Sequence, residues 1–289
     1  MKRALLIAIF LSAPSMAQAW PSPPPTPTPT PCPTPSPSPY ATCDPADEWC
    51  VCDDTVAHWR MDEAWAGTWV LDYAGGGYHG SLQGGDNTID ITVAGKAGTG
   101  AFDLDGAADY ITGAHVPFLA GDFSVCAWIT NDAVVTAAIL FSQRDHADDA
   151  RGFQLFLASG GTCVGLLDLG ASSVSVGGGA DLRGGDWHFV VARRAGTVLS
   201  LWVDGEQIDE DDSAGNDADL SHAYDWQIGR NALYADYFWN GKVDDMRVFD
   251  RALTAQEIRY LYAQGAGTAE CRAEQVYPVG LSVDPVGSY

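Results

Sequence analysis

The stretch that most constrains the fold runs from Gly184 to Asp209, GGDWHFVVARRAGTVLSLWVDGEQID. His188, Val190 and Ala192 alternate with Phe189, Val191 and Arg193, the two-residue period of a β-strand. Ala195-Gly196 is a turn signal. In the next run Val198, Ser200 and Trp202 point one way and Leu199, Leu201 and Val203 the other. Asp204-Gly205 supplies the following reversal, because glycine tolerates the positive φ that a tight hairpin needs.

Composition agrees with a β protein. Among 289 residues, charged side chains make up 18%, aromatics 11%, and glycines number 32. That mix suits a turn-rich sandwich better than a helical bundle. The length allows one sizeable core plus appendages.

The appendages come first. Residues 1–19 read as a secretory signal: Lys2 and Arg3 start it, Ala4 to Leu11 form its apolar core, and Ala17-Gln18-Ala19 fits the small-residue cleavage pattern. The apolar run is too short to span a bilayer, so a secreted protein without membrane insertion is expected. Residues 20–40, WPSPPPTPTPTPCPTPSPSPY, form an extended polyproline-type linker, either bare or carrying O-linked sugars. A cysteine-dense collar follows over 41–54, the globular domain spans 55–265, and 266–289 is a tail.

The formal net charge of −23 repels nucleic acid and anionic membranes. Seven cysteines in an exported chain favour disulfides over zinc, and the odd count leaves at least one unpaired; Cys32 in the linker is the candidate. Cys126 and Cys163 both fall in strand patterns and are expected to pair. Cys271 is expected to reach Cys43, Cys50 or Cys52, tying the ends of the domain.

Several motifs occur in a fixed order. They are Ala57-His58-Trp59-Arg60-Met61-Asp62-Glu63, then Asp72-Tyr73-Ala74-Gly75-Gly76, then Gly100-Ala101-Phe102-Asp103-Leu104-Asp105-Gly106. Phe123-Ser124-Val125-Cys126-Ala127-Trp128-Ile129, Trp226-Gln227-Ile228-Gly229 and Phe238-Trp239-Asn240-Gly241-Lys242-Val243-Asp244-Asp245-Met246-Arg247-Val248-Phe249 complete the series. With the Trp-His strand above, this series resembles the laminin-G-like, concanavalin A-like domains over residues 55–262, with features shared by pentraxins. The resemblance implies an all-β, two-sheet antiparallel jelly-roll sandwich. One short C-terminal helix closes it: Thr254 and Glu257 form a capping box, Leu253 and Ile258 hold the staple positions, and Gly265 is the stop.

Catalytic signals do not stand out. Glu206-Gln207-Ile208-Asp209-Glu210 lacks the glutamate spacing of the endoglucanases of this architecture and reads as a solvated charge run in a turn. The six histidines are dispersed, and no nucleophile elbow is present. A non-catalytic module binding glycans or glycosylated surfaces is therefore the leading expectation. An adhesion module for protein partners and a glycan-active hydrolase are the alternatives.

The resemblance also implies calcium, which takes six to eight hard oxygens. The implied ligands are Asp72, carbonyls around Gly75 to Gly77, and Asp244. Gly76 stands where the family usually has Asn. The alternative is that Asp72 closes a turn and Asp244 makes ordinary hydrogen bonds. A second acidic group, Asp148 and Asp149 with Asn231 and Asp236, is either a rim calcium site or a solvent loop. Sugar rings stack on aromatic faces. Tyr234, Tyr237 and Trp239 beside Asn231 are the candidates, with Trp65, Trp69, Tyr73 and Tyr78 of the first loop region as a second group.

Overall fold

The computed structural model describes residues 55–132, 137–144, 151–170, 172–213, 215–231 and 236–265. In chain order the strands are β1 (Thr55–Trp59), β2 (Trp69–Val70), β3 (Gly80–Gln83), β4 (Thr92–Val93), β5 (Ala101–Asp105), β6 (Tyr110–Gly113), β7 (Phe123–Ile129) and β8 (Ala138–Arg144). They continue as β9 (Arg151–Leu157), β10 (Cys163–Leu169), β11 (Ser173–Gly178), β12 (His188–Ala195), β13 (Val198–Val203), β14 (Glu206–Asp211), β15 (Trp226–Ile228) and β16 (Asn240–Phe249). A one-turn helix α1 (Thr88–Ile91) precedes β4, and α2 (Ala255–Gly265) follows β16.

Two antiparallel sheets form the sandwich that the sequence predicts. The first runs β14-β13-β12-β7-β16-β5-β4, with β1 also paired to β16, and the second runs β11-β10-β9-β8-β15-β6-β3-β2. The central hairpin pairs as expected, with Ala192 opposite Leu201 and Ala195 opposite Val198 around the Gly196 turn.

Strand β7 shows why the layers assemble. Phe123, Val125, Ala127 and Ile129 enter the core between the sheets, together with Trp59, Phe141, Phe153, Val190 and Trp226. The alternate residues Cys126 and Trp128 face outward into a second apolar cluster, with Phe189, Val191, Trp202, Ile258 and Leu261. A strand buried on both faces needs a cover, and α2 supplies it.

Local chemistry starts α2 where the sequence predicts. The Glu257 amide donates to Thr254 Oγ1 at 3.2 Å, and the Thr254 amide donates back to Glu257 Oε2 at 2.7 Å. Leu253 and Ile258 are buried beside it. Tyr262 stacks on Trp128, with ring centroids 5.5 Å apart.

Two expectations are corrected here. Glu206 to Glu210 is not a turn but part of the edge strand β14, because β13 offers it a hydrogen-bonding edge; its residues are largely exposed, as a charge run requires. Cys126 and Cys163 do not pair. Both are free and buried, and the period of two explains it: Cys126 faces α2 on the outside of the first sheet, whereas Cys163 lies in the core between the sheets. Cys52 and Cys271 lie outside the described residues.

Arg194 organises one end of the sandwich. Its guanidinium is fully buried and, among the described residues, donates to backbone carbonyls: Leu119 at 3.1 Å, Gly121 at 2.7 Å through Nε, Ala218 at 2.9 Å and Asn216 at 3.4 Å. One side chain thus ties the segment before β7 to the segment after β14.

Candidate functional site

The rim expected to bind sugar is only partly formed as the sequence suggests. Tyr237 is 39% exposed and sits at φ 55°. Trp239 is not a platform. Its amide donates to Gly229 O at 2.8 Å, its indole to Thr130 O at 3.1 Å, and the ring lies buried in the core. Asn231 is buried as well, and its amide donates to Asp236 O at 3.2 Å. Tyr234, Asp148 and Asp149 lie outside the described residues.

The two carboxylates that the resemblance implies for calcium each accept backbone amides. Asp72 Oδ1 accepts the amides of His58 at 3.0 Å and Ala74 at 2.9 Å, and Oδ2 accepts that of Tyr78 at 3.1 Å. The carboxylate closes its own loop, and Gly76 is needed there because a Cβ would stand 2.5 Å from the Tyr78 ring. Asp244 Oδ2 accepts the amides of Lys96 at 2.6 Å and Ala97 at 2.8 Å, while Oδ1 is buried without a partner. Burial pushes its pKa up to about 7, against the pull of those two amides. Asp236 is exposed. Among the described residues no three His, Cys, Asp or Glu side chains gather as a metal set.

A cleft of about 360 Å³ lies instead where β1 and β16 pair, beside the end of α2. Its walls are His58, Arg60 and Asp62 from the β1 side, Lys96 to Gly98 from a loop, Asp245 and Arg247 from β16, and Gln264 with Gly265. The backbone turns sharply around it. Met61 and Asp245, at φ 57° and 49°, are two of the four described non-glycine residues in the left-handed region. Met61 is buried in the core, and its neighbours Arg60 and Asp62 both reach the cleft. Asp245 sits where the β16–β7 register shifts between Asp244 and Arg247.

Each acid in the cleft has fixed partners. Asp245 Oδ1 lies 2.6 Å from His58 Nε2, and Arg247 donates to both of its carboxylate oxygens, at 3.1 and 2.9 Å. Burial works against this charge, yet the His58 hydrogen bond and the Arg247 charge win and lower the Asp245 pKa. Asp62 Oδ1 accepts Thr99 N at 2.7 Å, Thr99 Oγ1 at 2.9 Å and Gly100 N at 2.6 Å. With Asp244 beneath, two carboxylates thereby pin the 96–100 loop.

The cations are less committed. Among the described residues neither Arg60 nor Lys96 makes a salt bridge. Arg60 lies over the Tyr73 ring, 4.5 Å from its centroid, and Lys96 Nζ lies 5.1 Å from that of Trp128. Tyr73, 37% exposed, also meets the His58 ring edge-on at 6.3 Å. An aromatic face therefore stands beside a polar cleft. Sequence reading places Tyr73 among possible sugar platforms but treats Arg60, Asp62, Asp245 and Arg247 only as parts of strand motifs. The available signal is their mixed charge within otherwise apolar strands.

Residues 105–259 match the laminin G family of the concanavalin A-like lectin/glucanases superfamily, and the chain belongs to that family. The match starts later than the motif series, so Asp245 and Arg247 lie within it while His58, Arg60, Asp62, Lys96 and Gln264 lie outside. No curated protein matches the chain. Similar solved structures include the binding domain of Paraclostridial Mosquitocidal Protein 1, at 15% identity and TM-score 0.59, covering 73% of this chain and 52% of that one. The receptor-binding domain of a botulinum neurotoxin C/D mosaic serotype follows at 14% identity and TM-score 0.57, covering 73% and 51%. The binding domain of botulinum neurotoxin DC in complex with SialylT gives 13% and 0.55, covering 74% and 51%. The chain thus spans about half the length of these neighbours, and at such identities they establish the fold alone.

Proposed function

We propose that this domain is a secreted, non-catalytic carbohydrate-binding module whose ligand docks in the cleft beside Tyr73. The carrying observation is the conjunction of an exposed aromatic face with a preformed cleft of fixed hydrogen-bonding groups. Pyranose C–H groups pack on such a ring while hydroxyls find side-chain donors and acceptors. Membership of the lectin/glucanase superfamily supports the ligand class. The signal pattern of residues 1–19 supports export.

A hydrolase would need one carboxyl group to donate a proton and a second to act as base or nucleophile at the scissile bond. Glu63 and Asp244 have pKa values raised to about 7 by burial, which would suit an acid. Both are buried out of reach of a saccharide. The two cleft carboxylates, Asp62 and Asp245, are held by the partners described above. That arrangement favours binding over turnover.

The test is a glycan array probed with the purified protein and with Tyr73→Ala, each with and without EDTA. Retention on defined glycans, at least tenfold weaker for the variant and indifferent to EDTA, is the expected result. Retention on protein ligands alone would overturn the proposal in favour of an adhesion module, and released sugar in favour of a hydrolase.

A further inference from the structure

The charges of the cleft say more about its ligand. The whole chain carries −23, yet the lining sets Arg60, Lys96 and Arg247 against Asp62 and Asp245. Of only three lysines in the sequence, one is placed here. Arg247 and His58 are spent on Asp245, and Asp62 on the 96–100 loop. Among the described residues Arg60 and Lys96 are left over, each with its cation against an aromatic face and without a salt bridge. The C-terminal end of α2 adds a fractional negative charge, about half a unit at most and smaller than either cation.

From this excess we infer that the cleft selects a saccharide bearing an isolated carboxylate, a uronate-type sugar within an otherwise neutral chain. The inference rests on the carbohydrate-binding reading above. Two local cations favour one anion inside the cleft, and a planar guanidinium matches a carboxylate in two-point geometry. The surrounding negative field disfavours a polymer charged at every residue, because its flanking groups would lie over an acidic surface within a Debye length of about 8 Å. About 360 Å³ has room for one or two sugar units rather than a long polyanionic segment.

The experiment is calorimetric titration of the protein with three probes. One is an oligosaccharide alternating uronate and neutral sugars, the second is the same oligosaccharide after carboxyl reduction, and the third is a densely sulfated oligosaccharide of equal length. The uronate probe is expected to bind at least tenfold more tightly than either other, with affinity falling as salt rises. Arg60→Gln and Lys96→Gln, whose melting curves check the fold, are each expected to weaken binding of the uronate probe at least fivefold more than binding of the reduced probe, so that most of the preference between the two is lost. Equal binding of the uronate and reduced forms would overturn the inference while leaving carbohydrate binding intact. Preference for the sulfated probe would overturn it in favour of a polyanion site. Binding of none of the three, with retention of neutral glycans on the array, would overturn it alone; an array equally blank would remove both readings.

Discussion

Trp59 and Trp226, one from each sheet, meet with ring centroids 4.2 Å apart in the centre of the sandwich. Room for the Trp226 indole is made by two glycines. A Cβ on Gly113 would lie 2.5 Å from it, and one on Gly80 2.6 Å. Gly113→Ala is therefore expected to cost about 2 kcal/mol through overpacking. Urea unfolding monitored by tryptophan fluorescence should show a lower midpoint with an unchanged slope.

Burial raises the thiol pKa of Cys126 and Cys163 to about 12. Both are expected to resist iodoacetamide in the native protein at pH 8 and to react once denaturant exposes them. Mass spectrometry of peptides from the unreduced protein should contain no Cys126–Cys163 crosslink; finding one would contradict the two-faced placement of these side chains.

Stability should fall as pH rises from about 4 to 7. Glu63, with ordinary value 4.5, and Asp244, with ordinary value 3.8, are each raised to about 7, foremost by burial. Each holds its proton more tightly in the folded state, so its stabilising effect is full below the ordinary value and is lost as pH climbs to the folded one. The loss is at most about 3 kcal/mol for Glu63 and about 4 kcal/mol for Asp244. Asp245 and Glu257, whose folded values are lowered, act in the opposite sense, and their contributions disappear only as pH falls further. Glu63→Gln keeps a carbonyl to accept the Leu71 amide, bonded at 2.8 Å in the native protein. Chemical denaturation at pH 5 and pH 8 should show the variant gaining on the native protein only at the higher pH.

Replacing Arg194 tests the buried network at the sandwich end. Arg194→Met strands the carbonyls of Leu119, Gly121 and Ala218, and a loss of about 3 kcal/mol or more is expected. Arg194→Lys, with one compact ammonium in place of a fork, should not restore it. Thermal melts of the two variants would settle the point, and a native-like Lys variant would mean that charge alone suffices.

Local physics made the fold readable from sequence. The Gly196 turn, the alternation of β12 and β13, and the Thr254–Glu257 box each lie within a few residues of one another. Readings that depended on partners fared differently. Glu206 to Glu210 gains its strand conformation from β13, and Trp239 looks like a loop aromatic until the Gly229 and Thr130 carbonyls draw it inward. The cleft was the least legible feature. His58 and Asp245 are 187 positions apart, and only the pairing of β1 with β16 makes them neighbours. Asp72 shows the same limit in miniature, since nothing in its spacing reveals whether its oxygens face a cation or three amides.

The cleft also borders the first and last of the described elements. His58 follows closely on Thr55, where β1 begins, and Gln264 is the penultimate residue of α2. An affinity tag, fluorophore or solid support attached close to Thr55 or Gly265 would stand at the mouth of the cleft and compete sterically with a bulky glycan. Immobilised formats anchored there would under-report affinity relative to untagged protein in solution, so the orientation of the molecule on a sensor becomes an experimental variable in its own right.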